Sequence, residues 1–248
     1  MLEIRQFPCL GDNYGFLVRD AGSGQVATVD TPDAEVILAE LAASGWGRLD
    51  LILNTHWHPD HAGGNARLKA ETGCRIVGPA EVERIAPLDQ RLEGGETVRL
   101  GETAFEVLAT PGHTLGHIAY VSRDDGVAFV GDTLFAMGCG RLFEGQPAQM
   151  WDSLQRLAAL PDGVRLYCAH EYTAANARFA LSVDDDPAVA ARAAAVFAAR
   201  ERGEATVPTT VAEEKATNPF LRAPRLAPEA TPAEAFARLR AAKDGFAG

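Results

Sequence analysis

Apolar residues up to about residue 171 fall in short runs broken by glycine-bearing turns, which is the pattern of a strand-rich region. Leu2 to Phe7, Tyr14 to Arg19 and Gln25 to Asp30 read as strands joined by Gly-Asp-Asn and Gly-Ser-Gly turns, an antiparallel meander. Thr31-Pro32 then reads as an N-cap and first-turn proline, with Val36, Ile37, Leu38 and Leu41 as the apolar face of a helix stopped by Gly45. Leu49 to Asn54 has the unbroken apolar character of a buried strand. His61 to Thr72 reads as a helix closed by Gly73, which sets Asp60 and His61 at or near a helix N-terminus. Arg75 to Gly78 is a short strand, and Ala80 to Ala86 is helix or loop. Thr97 to Leu100, Thr103 to Thr110, His117 to Ser122 and Val127 to Gly131 are strand-like; Gln149 to Leu160 carries Met150, Leu154 and Leu157 at helical spacing, and Val164 to Cys168 is one more strand. Two strand groups with interspersed helices favour a layered α/β arrangement.

Past His170 the pattern changes. Ala174 to Val183, Pro187 to Arg202 and Pro232 to Lys243 read as helices, the last opened by the capping box Thr231-Pro232-Ala233-Glu234, and no strand is evident. The expected organisation is an α/β domain over 1–171 followed by a small helical domain over 172–248.

The chemistry gathers behind the strands. Thr55-His56-Trp57-His58-Pro59-Asp60-His61 follows the Leu49 to Asn54 strand; His56 and His58 project to one side of such a segment while Asp60 and His61 reach a second point nearby. A solvated histidine-rich loop is the plain competing reading. It fails because His113, Asp132 and His170 each follow a strand too, and loops leaving one edge of a sheet are where sites are built. Five histidines and two aspartates suffice for two catalytic ions of the zinc type if one carboxylate bridges, and Asp132, alone on its loop, is the natural bridge. His117, four residues past His113, is expected either to steady a ligand by a hydrogen bond or to be purely structural.

Composition narrows the class. The chain has 248 residues, 47% hydrophobic and 23% charged, as in an ordinary globular protein. A net charge of -11 argues against nucleic acid as substrate. No signal-peptide pattern or membrane-length apolar run occurs, so a cytoplasmic location without membrane contact is expected. Cys9, Cys74, Cys139 and Cys168 are scattered, which signals neither a disulfide framework nor a thiolate metal site. Cys139 and Cys168 lie beside the expected site and are taken as structural thiols. A monomer is expected.

The order His56-x-His58-x-Asp60-His61, His113, Asp132, His170 resembles the metallo-β-lactamase superfamily. Asp12-Asn13-Tyr14, Gly131-Asp132-Thr133-Leu134-Phe135 with Gly138-Cys139-Gly140-Arg141, and Glu213-Glu214-Lys215-Ala216-Thr217-Asn218-Pro219-Phe220 are similar to glyoxalase II, the hydroxyacylglutathione hydrolases. The resemblance implies an αββα sandwich with a dinuclear site at one edge. It assigns His56, His58 and His113 to one metal and Asp60, His61 and His170 to the other, with Asp132 shared. It gives glutathione to Arg141, Tyr172, Arg240 and Lys243. One departure stands out: where the family often has lysine and, two residues on, tyrosine, this chain has Arg141 and Phe143, so a phenolic hydrogen bond is lost. Independently of the resemblance, Phe236, Arg240 and Lys243 share one helix stripe, pointing inward or lying as solvated surface charges.

The implied reaction is hydrolysis of S-(2-hydroxyacyl)glutathione thioesters such as S-D-lactoylglutathione, a step of methylglyoxal disposal, yielding glutathione and D-lactate. A hydroxide held between two divalent ions is available near neutrality because a metal lowers the pKa of bound water from 15.7 to about 7. Asp60 would orient it as well as bind metal. A thiolate, with thiol pKa about 8.5, leaves unprotonated, which suits a site with no spare acid. Zinc is the first expectation, with iron and manganese admitted by the same donors. The rivals are an iron-dependent glutathione persulfide dioxygenase on the same fold, a lactam hydrolase, for which an export signal is missing, a nonenzymatic metal-stabilised or binding protein, and a tRNA-processing nuclease on the same fold, disfavoured by the acidic balance.

Overall fold

The structure, a computed structural model, describes residues 1–247. Its backbone divides into two units, residues 1–109 with 116–131, and residues 110–115 with 132–248.

The first unit is built on two sheets. Its elements are β1 (Leu2–Cys9), β2 (Asn13–Asp20), β3 (Val26–Val29), α1 (Ala34–Ser44), β4 (Leu51–Leu53), α2 (Pro59–Ala62), α3 (Asn65–Thr72), β5 (Arg75–Pro79), β6 (Gln90–Leu92), β7 (Thr97–Leu100), β8 (Thr103–Ala109), β9 (Ile118–Ser122) and β10 (Val127–Gly131). β1, β2 and β3 form the expected antiparallel meander, and β4, β5 and β6 extend it in parallel. β7 to β10 make an antiparallel second sheet. β4 is buried along its whole length, as a parallel strand covered on both faces requires, which is why its sequence shows no alternation. On one face Ile52 and Ile76 pack with Ile37, Leu41 and Leu68 of α1 and α3. Between the sheets Phe16 meets Phe129 edge-on at 5.5 Å, and the Tyr120 hydroxyl donates to Asn54 O at 2.8 Å.

Two expectations are corrected here. Thr31 is not an N-cap: α1 starts at Ala34, capped by Asp33, whose carboxylate accepts from Glu35 and Val36 N. Thr31 is instead buried, its hydroxyl bonded to Asn65 Oδ1 at 2.7 Å and its N–H to His61 O at 2.8 Å. The helix expected from His61 to Thr72 is broken at Gly63-Gly64, where a Cβ on Gly63 would lie 2.4 Å from Pro59 O and one on Gly64 2.9 Å from Thr31 O. The break lets the His61 turn press against Thr31. Gly45 and Gly73 do end their helices, both left-handed.

The second unit holds the hairpin β11 (Leu134–Phe135) and β12 (Gly138–Cys139), then α4 (Pro147–Ala158), β13 (Arg165–Cys168), α5 (Thr173–Val183), α6 (Pro187–Glu201), β14 (Thr209–Thr210), α7 (Val211–Thr217), α8 (Ala223–Leu226) and α9 (Pro232–Asp244). A strand thus exists past His170: β14 pairs antiparallel with β13. It is two residues long and sits beside Pro208, too short for any periodicity. α5 and α6 pack through Ala177, Ala180, Val189 and Ala193, small side chains that let two helices approach closely. Phe220 links them to α9, stacking on Phe179 at 5.8 Å and meeting Phe236 edge-on at 6.0 Å.

Glu214 explains the Glu213 to Phe220 stretch. Fully buried, it accepts from Arg192, Thr209, Asn218 Nδ2 and Met137 N, while Asn218 also donates to Phe135 O and Gly138 O. A buried charge is tolerated only when paired and fully hydrogen-bonded. Here the pairing fixes the hairpin, and with it the Cys139-Gly140-Arg141 exit. Among the described residues no helix is long and apolar enough to cross a membrane.

Candidate active site

In the first unit the histidine loop is organised by a residue that the sequence reading passed over. Asp30 leaves β3 with φ +57°, beside the end of parallel β4. Its Oδ1 accepts from Thr55 N at 2.7 Å; its Oδ2 accepts from Thr55 Oγ1 at 2.7 Å and lies 2.8 Å from His61 Nδ1. A carboxylate only accepts, so the Thr55 hydroxyl spends its proton on Asp30 and receives one from His56 Nδ1, 3.1 Å away. By accepting, directly from His61 and through Thr55 from His56, one carboxylate favours the tautomer with hydrogen on Nδ1 in both rings and leaves both Nε2 atoms as electron-pair donors. The same pattern that marks Asp132, an aspartate at a strand exit, was the available signal.

Asn13 is the second such residue. Its Nδ2 donates to Asp60 Oδ2 at 3.1 Å and to Asp60 O at 3.2 Å, which gives the Asp12-Asn13-Tyr14 stretch a physical task. Asn54 donates to His61 O at 2.9 Å and accepts from Asn65 at 2.7 Å, so the turn that carries His61 is pinned by buried amides. His117 is buried and stacks on His56 with centroids 4.9 Å apart. It also stands against Gly131, where an added Cβ would come within 2.7 Å of its Nε2.

The donor atoms have the spacing of a metal site. A tetrahedral ion with bonds of about 2.0–2.1 Å separates its donors by roughly 3.3 Å. His56 Nε2 and His58 Nδ1 are 3.0 Å apart, and His61 Nε2 and Asp60 Oδ2 3.4 Å. Asp30, His56 and His61 also bring one ligand atom each within 4.8 Å of one another. In the second unit Asp132 Oδ2 is 3.4 Å from His113 Nε2 and Asp132 Oδ1 is 3.3 Å from His170 Nε2. Each oxygen of one carboxylate thus faces a different imidazole. His113 is oriented by Nδ1 donating to Arg141 O at 2.9 Å, and a Cβ on Gly140 would strike Asp132 O at 1.9 Å. The donor set of imidazoles and carboxylates fits divalent cations.

A cavity of about 520 Å³ lies in the second unit, with His113 and Asp132 in its wall together with Arg141, Tyr172, Arg240 and Lys243. Tyr172 stacks flat on His170 at 4.7 Å. Phe143 is exposed and meets His113 edge-on at 5.2 Å. Of the inward and outward readings of the α9 stripe, Arg240 takes the inward one: its side chain is 5% exposed, and Nη1 donates to Cys139 O at 3.0 Å. Lys243 donates to Ala175 O at 3.0 Å over the rings of Phe179 and Phe246. Burial, with the charges of Arg240, Arg178 and Arg141, pulls its pKa down to about 8. Burial pushes the Cys139 thiol up to about 11 and Cys168 to about 12, so neither is a thiolate near neutrality.

The two sheets, the loops at their strand exits and the spaced imidazole and carboxylate donors define a class. A family model described as the metallo-beta-lactamase superfamily matches residues 15–170, and the chain belongs to that superfamily, with the sandwich fold expected from its motifs. A second model, the hydroxyacylglutathione hydrolase C-terminus, matches residues 171–246. Relatives named hydroxyacylglutathione hydrolase are found in Maricaulis maris, 56% identical over 99% of this chain and 99% of its own, and in Erythrobacter litoralis, 53% identical over 99% and 100%. Among solved structures, ETHE1 from Myxococcus xanthus is 28% identical, with a TM-score of 0.72 over 96% of this chain and 90% of its own. Within the superfamily, the chain is a member of the hydroxyacylglutathione hydrolase family.

Proposed function

We propose that this protein hydrolyses S-(2-hydroxyacyl)glutathione thioesters, S-D-lactoylglutathione among them, to glutathione and a 2-hydroxy acid, and so serves in methylglyoxal disposal in the cytoplasm as a monomer. The observation that carries the reading is the cavity in which two expected metal ligands, His113 and Asp132, share a wall with three cationic side chains, Arg141, Arg240 and Lys243. Its volume of about 520 Å³ falls within the range of small-molecule sites. The family's name supplies the substrate class that such charges suit, a peptide with two carboxylates.

In this reading His56, His58 and His113 would hold one divalent ion, Asp60, His61 and His170 the other, and Asp132 would serve both. Zinc is the metal proposed. Two such ions would supply water acidic enough to attack near pH 7 and a Lewis acid for the acyl oxygen. The chain's own part is positioning. Asp30 and Thr55 fix the tautomers of His56 and His61, and Asn13 sets the plane of the Asp60 carboxylate, which orients the attacking water. Arg141, Arg240 and Lys243 hold the glycyl and glutamyl carboxylates, and Tyr172, braced on His170, walls the thioester. The sulfur leaves as thiolate, so no side chain need protonate it. A catalytic domain over 1–171 supplies the metal ligands together with Arg141, and a substrate-binding domain over 172–248 supplies Tyr172, Arg240 and Lys243.

The persulfide dioxygenase is the weaker reading, because the C-terminal match and the relatives at about half identity carry the hydrolase name. Metal analysis paired with a thioester cleavage assay on one preparation decides between them. Two equivalents of metal and rapid release of glutathione are expected. Oxygen uptake with glutathione persulfide, together with inertness toward lactoylglutathione, would reverse the assignment.

A further inference from the structure

Asp244, the last residue of α9, lies in the wall of the cavity, and the helix has no use for it there. A carboxylate in the last turn stands against the negative end of the helix dipole. Its partner Arg240 lies four residues before it, with the cation first, which is the less favourable order for such a pair.

What the carboxylate does touch is the cation group. Its Oδ1 accepts from Arg240 Nη2 at 2.9 Å and lies 3.9 Å from Arg141 Nε. These guanidiniums come from separate elements, Arg240 from α9 and Arg141 from the segment leaving β12. Arg240 is thereby locked in plane, with Nη1 on Cys139 O, Nη2 on Asp244, and its buried Nε without a hydrogen-bond partner. Arg141 is different: its side chain is 67% exposed, and the three cations around the cavity repel one another. Burial first, and that repulsion after it, lower the pKa of Lys243. Asp244 is the counter-charge that the structure places within reach of Arg141.

We propose that Asp244 is a positioning residue that aims Arg141 and Arg240 at a carboxylate of the glutathione moiety. The inference rests on the substrate reading given above, and it predicts that selectivity for carboxylate-bearing thioesters depends on an acid that touches no reacting atom.

The test compares wild type, Asp244→Asn and Asp244→Glu on S-D-lactoylglutathione and on S-lactoyl-N-acetylcysteamine, which carries no carboxylate, with glutathione binding measured by calorimetry. Asp244→Asn is expected to raise KM for the glutathione thioester about tenfold, the size of one charge-assisted hydrogen bond, rather than lower kcat. Selectivity over the cysteamine thioester falls by the same factor, glutathione binds correspondingly weaker, and Asp244→Glu recovers part of both. A KM within twofold of wild type, equal losses on both thioesters, or no recovery with glutamate overturns the role of Asp244. A wild type that cleaves neither thioester, yet binds glutathione in an Asp244-dependent way, overturns only the hydrolase reading. Failure to bind glutathione at all overturns both.

Discussion

Asp30→Asn is the most direct probe of how the first unit prepares its ligands. Asparagine is nearly isosteric and tolerates the left-handed backbone at φ +57°, so the substitution isolates the loss of the charge from strain. The amide keeps one accepting oxygen, which can stay on Thr55 N, but replaces Oδ2 by a donor. Two contacts then reverse. Nδ2 faces the His61 Nδ1–H at 2.8 Å, donor against donor, and the Thr55 hydroxyl, now receiving a proton, turns its own toward His56 Nδ1. Both imidazoles are driven to the tautomer that carries hydrogen on Nε2, the atom needed for ligation. Loss of such an orienting partner costs about 10- to 100-fold in metal affinity, or about 1.4 to 2.7 kcal/mol. Because Asp30 reaches His61 directly and His56 through Thr55, both proposed ions should weaken together. Dialysis against a graded chelator followed by elemental analysis reads the affinity, and a melting curve checks that the variant is folded. A folded Asn variant that holds both ions within twofold of wild-type affinity would refute the tautomer argument.

The remaining predictions concern the second unit. Glu214→Ala strands Arg192 and three other donors in the interior, and the melting temperature should fall by an amount matching about 3–5 kcal/mol; a loss under 1 kcal/mol in denaturant titration would show the cluster to be solvated. Lys243 carries its charge below about pH 8 and loses it above, so KM for a glutathione thioester should rise about tenfold from pH 7 to 9, a rise that Lys243→Met removes and that a flat wild-type profile would contradict. Since the unfolded chain keeps that proton up to the ordinary 10.5, this group makes folding stability increase with pH between about 8 and 10.5. Phe143→Tyr should restore a phenolic donor at the rim and lower KM about fivefold, the value of one hydrogen bond, with no change expected for a thioester lacking carboxylates.

How much of this was legible depended on how local its cause was. Apart from the three-residue β6, which no pattern marked, the strands up to β10, the glycine stops of α1 and α3 and the capping box of α9 follow from neighbouring residues, and the sequence pattern located them. So did the rule that ligand-type residues follow strands. Asp30 obeys that rule too, but its meaning comes from β4 lying parallel to β3, which places Thr55 against it across 25 positions of chain. Thr31 looked like a cap because a threonine before a proline usually is one; the tertiary bond to Asn65 outbid the helix. β11, β12 and β14 are two residues each, shorter than any period. Thr210-Val211-Ala212-Glu213, by contrast, is a complete capping box for α7 whose signal was in plain view.

On the proposed reading, the leaving group explains why recognition is delegated to a cationic cavity. A thiolate departs without a proton, so the reacting centre can consist of metal ligands alone, and discrimination must come from binding energy gained at the remote end of the substrate. At long range a chain of net charge -11 does not attract an anionic peptide, and beyond about 8 Å salt screens the field in any case. Recognition has to act at contact distance, in a partly buried pocket where charges are screened less. Burial exacts its toll on the one cation that can deprotonate: the environment that strengthens Lys243 as a partner for a carboxylate brings its pKa to about 8, close to working conditions. Arginine does not deprotonate in this range. With Arg141 standing where the family often has lysine, two of the three cations in the cavity wall keep their charge when Lys243 gives up its own, so the clamp should weaken above pH 8 rather than fail.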